Sequence, residues 1–399
     1  MKKKPHLLFI TTSSLAANPR LVKEFEALKK DFNCFVLSYI HHDWTLELTE
    51  AIKIRNPEVQ FVEIDRKNKV LQTVQFKIKH KLAILLNSVF LNSFKIAAYA
   101  SNDKAPQLWL AAKKMAREFA FSRVFAHNLG AFYAAVKLSD NSQVSLQLDI
   151  EDYYPGEALY FNKKYEKRNR MLIMSHGFLK ANSITYASKG IEIECEKHFN
   201  VSAQTKQATI INAFNAIDFN QPKPQDSTHI KCVWFSQHIG PNRGLEQVFE
   251  AAKAMSQVKF HLIGNKNEPY IDTMTLSSNI ILHDIMSQED LHNFLGEMDI
   301  GLALESEQVD YNRDICLTNK FLAYAQSGLY ILATNTFGQS QFLNSLNYNA
   351  GLIMESTLND SLMQINRDVL STENKIERWH NAKLFSWENE QIKLKKLLE

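Results

Sequence analysis

Short runs of consecutive apolar residues alternate with helical patterns along most of this 399-residue chain. In the first half, His6–Thr11, Cys34–Tyr39, Gln60–Ile64, Arg123–His127, Val144–Ile150 and Ala208–Ile211 read as strands. Several are apolar at successive positions, the mark of parallel strands covered on both faces. Between the first two, Asn18 can cap and Pro19 can open a helix that carries Leu21, Phe25 and Leu28 at helical spacing. Further helices are expected over Gln107–Phe121 and Gly130–Leu138.

The segment Phe214–His229 is polar, holds two prolines and reads as a domain junction. The pattern then restarts. Lys231–Phe235, Lys259–Ile263, Ile280–Leu282, Ile300–Leu304, Tyr330–Thr334 and Gly351–Met354 read as strands, with helices at Leu245–Met255, Gln288–Met298 and Asn319–Ser327. Ser287 with Asp290 suits the start of the second helix and Gly328 the end of the third. Two open α/β domains in tandem follow from this alternation.

Composition narrows the function. A net charge of +3 is too small by itself to argue for nucleic acid. The four cysteines (Cys34, Cys195, Cys232, Cys316) form no metal-type pair and read as free thiols. No stretch reaches the length of a membrane span, and the lysines and Pro5 at the start lead into a strand rather than a signal peptide, so a cytoplasmic protein is expected. No Gly-x-Gly-x-x-Gly follows the first strand of either half, which argues against a dinucleotide-dependent dehydrogenase.

Open α/β sheets bind ligands outside the carboxyl ends of their strands, so loop residues there are the candidates. In the second half the first strand runs into Ser236 to Gly244, a turn with Gly240, Arg243 and Gly244 ahead of a helix. Free amides at that helix start and the fork of Arg243 suit phosphate, while a glycine turn with a solvated arginine is the plainer alternative. The second strand is expected to end at Gly264, and the third at His283 to Ile285, where backbone groups could meet a nucleobase. The fourth delivers Glu305, and Thr318, Asn319 and Lys320 open a helix towards the same space.

In that order "FSQHIGPNRGLEQVFEA", "FHLIG", "IILHDIMSQEDLHNFLGEMDIGLALE" and "LTNKFLAYAQSGLYILATNT" resemble the donor half of family 4 retaining glycosyltransferases. "TTSSLAANPRLVKEFEALKK", "FAHNLGAFYAAVKLS", "LDIEDYYPGE" and "IINAFNAIDF" are similar to its first half, and "FSWENEQIKLKKLL" to its final helix. The resemblance implies the GT-B fold, two Rossmann-like domains facing across a cleft. The expected divisions are 1–213, a linker 214–229, a donor domain 230–378 and a helix 379–399 returning to the first domain. It also implies donor contacts for Arg243, Gly264, Asn319 and Lys320, and contact of His127 with the donor sugar. The expected reaction moves a sugar from a UDP- or GDP-sugar to a glycan or lipid-linked acceptor with retention, in surface polysaccharide or glycoconjugate assembly. Cations and amides would stabilise the leaving diphosphate, with no metal or cofactor. His127, Glu305, Arg243 and Lys320 are the candidate catalytic groups.

The sequence also departs from this family. A glutamate is usual where Ala323 stands, so that carboxylate is missing and Glu305, Glu307 or Asp314 is a candidate to stand in for it, and Thr12-Ser13-Ser14 replaces a glycine run after the first strand. A catalytically silent binding protein and a nucleotide-sugar epimerase remain as rivals. The acidic stretch Asp149 to Asp152 reads as solvated or hydrogen-bonded rather than as a metal site. Finally, Arg66 to Asn102 holds seven Lys/Arg, one His and no acidic residue, with Lys77, Lys79 and Lys81 leading into an apolar helix-like run, Leu82–Phe94. A helix packed on the first domain with a solvated basic edge explains it, and so does an anionic membrane surface at the inner face of the membrane. Lys163 to Arg170 forms a second basic cluster.

Overall fold

The computed structural model describes residues 4–68, 70–160, 163–224, 229–305 and 310–399. The chain forms two compact units: 1–187 with 191–210 and 391–399, and 188–190 with 211–390. Each is built on one parallel sheet.

The first unit's strands are β1 (His6–Ile10), β2 (Asn33–Tyr39), β3 (Gln60–Ile64), β4 (Phe121–His127), β5 (Ser145–Ile150), β6 (Ser183–Tyr186) and β7 (Lys206–Thr209), in the order β3-β2-β1-β4-β5-β6-β7. The helix Pro19–Leu28 starts as expected: the Asn18 side chain accepts the Leu21 N–H at 3.0 Å, with proline at the first position. Two expectations need correction. The helix expected over Gln107–Phe121 is Ala105–Glu118, and Phe121 already belongs to β4. The run Leu82–Phe94 is not one helix: a helix over Val70–Leu86 ends within it, and another begins at Phe94.

The second unit's strands are β8 (Ile230–Ile239), β9 (Val258–Lys266), β10 (Ile280–His283), β11 (Ile300–Ala303), β12 (Tyr330–Thr334) and β13 (Gly351–Met354), in the order β10-β9-β8-β11-β12-β13. Successive residues face opposite sides. Cys232, Trp234, Leu262 and Leu302 enter one core, while Val233, Ile263, Ala303 and Ile331 enter the other. Double burial is therefore why these strands read as unbroken apolar runs. The described part of the segment expected as a junction packs on this unit: the Phe219 ring stacks on His292 at 4.1 Å, and Trp379 Nε1 donates to the Phe219 carbonyl at 3.2 Å.

In both sheets the order reverses direction beside the first strand, between β1 and β4 and between β8 and β11. Those switch points are where open α/β sheets leave a crevice at their carboxyl ends.

Candidate functional site

The crevice of the second unit collects most of the residues singled out from sequence. β8 and β9 run further than expected. After a register shift, His238 pairs with Asn265 and Ile239 with Lys266, so Ser236 lies within β8 and Gly264 within β9 rather than at its end. Gly264 has φ +152, and a Cβ there would sit 2.5 Å from the Ser236 carbonyl oxygen. Only glycine lets the two strands approach this closely. The turn is thus confined to the residues after Ile239, with Gly240 buried, Asn242 at φ 60 and Gly244 at φ 74. These left-handed residues fold the turn back on β11, where a Cβ on Gly244 would lie 3.0 Å from the Leu304 Cβ.

Arg243 therefore stands beside the end of β11. Glu305, nearly buried, follows that strand and is fixed by its own N–H, which donates to Thr334 Oγ1 at 3.1 Å. Lys320 Nζ lies 3.9 Å from the Glu305 carboxylate, 3.4 Å from the Leu304 carbonyl and 5.2 Å from the centre of the Trp234 ring. Arg313 reaches the other Glu305 oxygen at 3.8 Å. Burial pushes the Lys320 ammonium down to about 8; Glu305 pulls it back up, and the Arg243 and Arg313 guanidinia push it down further. Lys320 and Arg313 thus share one carboxylate, and Arg243 is close enough to act on Lys320, a local excess of positive charge. Among the described residues Arg243 makes no ion pair.

Two helix amino ends add to that field. The helices Leu245–Ala254 and Asn319–Gln326 start at Gly244 and Thr318 with no side-chain hydrogen bond to their first amides. Elsewhere in this unit Asn267, Ser287, Asp310, Thr336 and Thr357 each accept a first-turn N–H. Amides left open at two helix starts beside Arg243 and Lys320 have the chemistry that suits an anion.

The remaining candidates are placed less centrally. Asn319 is exposed and accepts from the Asn212 amide at 2.9 Å. His283 ends β10, its Nε2 3.0 Å from His261 Nδ1, and its ring packs edge-on against Phe294. Ile285 follows it, 57% exposed. Asp314 is engaged elsewhere, accepting the Phe337 N–H at 3.1 Å, and Glu307 lies outside the described residues. Ala323 is fully buried in the core.

His127, singled out from sequence for contact with the donor sugar, is the last residue of β4. It belongs to the first unit and has no exposed surface. Its Nε2 is 3.0 Å from Glu24, and its Nδ1 is 3.0 Å from Glu151 and 3.3 Å from Asp149. Burial opposes its protonation, but Glu24, Asp149 and Glu151 together hold it well above the usual histidine range. Arg20 donates to both Asp149 oxygens at 2.7 Å and keeps that carboxylate ionised far below its ordinary range. Glu24 moves the other way, because burial and Asp149 favour its neutral form. One ligand atom each from Glu24, His127 and Asp149 lie within 4.8 Å of one another, a metal-like spacing. The guanidinium of Arg20 already supplies the cation that Asp149 needs.

The first unit also holds a cavity of about 620 Å³ beside the end of β1, lined by Thr12, Asn102, Asp103, Lys104, Tyr165 and Glu166 among others. Lys104 Nζ donates to the Thr12 carbonyl at 2.6 Å and tethers that loop.

No protein-family model matches the sequence, and no curated protein matches it. Solved structures do. Sucrose-phosphate synthase from Thermosynechococcus elongatus is 12% identical with a TM-score of 0.67, over 99% of this chain and 98% of that one. HepE from Anabaena in complex with UDP-glucose is 10% identical with a TM-score of 0.65, over 98% and 99%. A mutant of S. aureus TarM in complex with fondaparinux, alpha-GlcNAc-glycerol and UDP is 12% identical with a TM-score of 0.65, over 99% and 100%. The fold is the GT-B fold of such glycosyltransferases.

Proposed function

We propose that this protein transfers a sugar from a nucleoside-diphosphate donor bound in the second unit. The observation that carries the reading is the meeting of Arg243, Lys320 and two uncapped helix starts at the β8–β11 switch point. A diphosphate gains negative charge as it leaves the sugar, and fixed cations and amides pointing at it lower that barrier without a base. Arg243 can hold two phosphate oxygens at once, and Lys320 supplies a poorly hydrated ammonium. The UDP and UDP-glucose complexes of the similar structures favour a uridine donor, with base contacts from the backbone near His283 and Ile285. We assign transfer with retention and without a metal, to a glycan or lipid-linked acceptor held by the first unit near Thr12 and Lys104.

Glu305 takes the place of the family's missing carboxylate, since Ala323 lies in the core. That same alanine favours a second reading, a donor-binding protein with no turnover. Incubation with labelled UDP-sugars and analysis of the product anomer separates the two. Arg243→Ala should abolish transfer while leaving the melting temperature unchanged; undiminished turnover in that variant would sink the assignment.

A further inference from the structure

The helix Val70–Leu86 turns the wrong side outwards for a protein surrounded by water. Its buried positions, Thr73, Phe76 and Ala83, continue through Asn87 and the half-buried His80 as one seam at spacings of three and four. Leu71, Val74, Ile78, Leu82 and Leu85 repeat at the same spacing on the opposite side. They are 83%, 47%, 52%, 51% and 71% exposed. Val89, Phe90 and Leu91 extend the apolar surface past the helix end. Beside it lies a groove of about 610 Å³, whose lining includes Leu82, Leu86 and Ile96 together with Lys79, Lys95 and Lys113. A contiguous exposed apolar patch of this kind marks an interaction surface.

Charge decides the occupant. Lys77 and Lys81 flank the stripe on one side and Lys79 on the other, and no acidic residue occurs from Arg66 to Asn102. A second copy would set these ammonium groups against each other. An anionic bilayer accepts both features, since its acyl region takes the stripe and its headgroups take the lysines. No helix among the described residues is long and apolar enough to cross a membrane. We propose that this face docks the protein on an anionic membrane, with the helix Val70–Leu86 lying in the plane of the interface.

Flotation of the full chain with vesicles tests this, using equal parts phosphatidylglycerol and phosphatidylcholine against phosphatidylcholine alone. The chain should float with the anionic vesicles only. Leu71→Ser/Ile78→Ser/Leu85→Ser should abolish binding, and Lys77→Gln/Lys79→Gln/Lys81→Gln should weaken it on the order of a hundredfold. Both variants should melt like the parent and bind UDP as it does, which keeps the test apart from the transfer assignment. The proposal is overturned if the parent does not float at low salt, or if neither variant reduces flotation. It is equally overturned if the serine variant turns a dimer into monomers while no vesicle binding occurs.

Discussion

Lys320→Met should make the empty protein more stable and useless for donor binding at the same time. The Lys320 side chain is only 12% exposed, and its one carboxylate neighbour among the described residues, Glu305, sits at 3.9 Å. Its fall from 10.5 to about 8 corresponds to about 3 kcal/mol held against the charged form at neutral pH. Methionine fills a similar volume and removes that cost. The attraction of Glu305 is already contained in that net figure, and Glu305 keeps Arg313 at 3.8 Å. The expected gain is about 2–3 kcal/mol, or roughly 4–12 °C in melting temperature for a unit of this size.

The pH dependence provides an internal check. The unfolded lysine titrates near 10.5 and the folded one near 8, so between those values the unfolded state binds more protons. Parent stability should rise across that window, and the variant's advantage should be full below pH 8 and gone by about 10.5. Saturating UDP should raise the parent's melting temperature but leave the variant's unchanged. A variant that melts lower than the parent at pH 7, and is still stabilised by UDP, would refute the reasoning.

Other expectations are as direct. UDP affinity of the parent, measured by calorimetry, should decline above about pH 8 as Lys320 loses its proton; an affinity constant to pH 10 would exclude Lys320 from the phosphate site. Gly264→Ala should cost about 1–3 kcal/mol in denaturant unfolding, because its methyl would press on the Ser236 carbonyl; a neutral change would contradict the close approach. Arg20→Met should cost about 3–5 kcal/mol by leaving Asp149 ionised and buried, and a loss below about 1 kcal/mol would mean the cluster is not sealed. The imidazole of His127, followed by NMR, should remain protonated well above its ordinary range; titration at or below 6.5 would disprove the cluster's electrostatics.

The central strands of both sheets were legible because they are buried on both faces and read as unbroken apolar runs. β6 was not. Its Ser183 and Thr185 look like loop residues, yet they are buried, donating to Gln147 and Asp149 at 2.7 Å each. The outer part of β8 escaped for a related reason: Ser236, Gln237 and His238 carry no apolar signal, and only the pairing of His238 and Ile239 with β9 extends the strand. Arg243, Glu305 and Lys320 could be found because each follows a strand or opens a helix at the carboxyl edge. Arg313 and Trp234 could not, since neither has a local pattern and their convergence on Glu305 and Lys320 exists only in three dimensions. The sealing of His127 depends on Arg20 and Glu24, one helical turn apart on a different element, and no local feature of β4 reports it.

The decisive measurement is the crystal structure of the protein with UDP. The diphosphate should lie at the β8–β11 edge, within hydrogen-bond distance of Arg243, Lys320 and the first amides of the helices at Leu245 and Asn319. A diphosphate bound elsewhere, with Arg243 and Lys320 untouched, would contradict the assignment of this crevice.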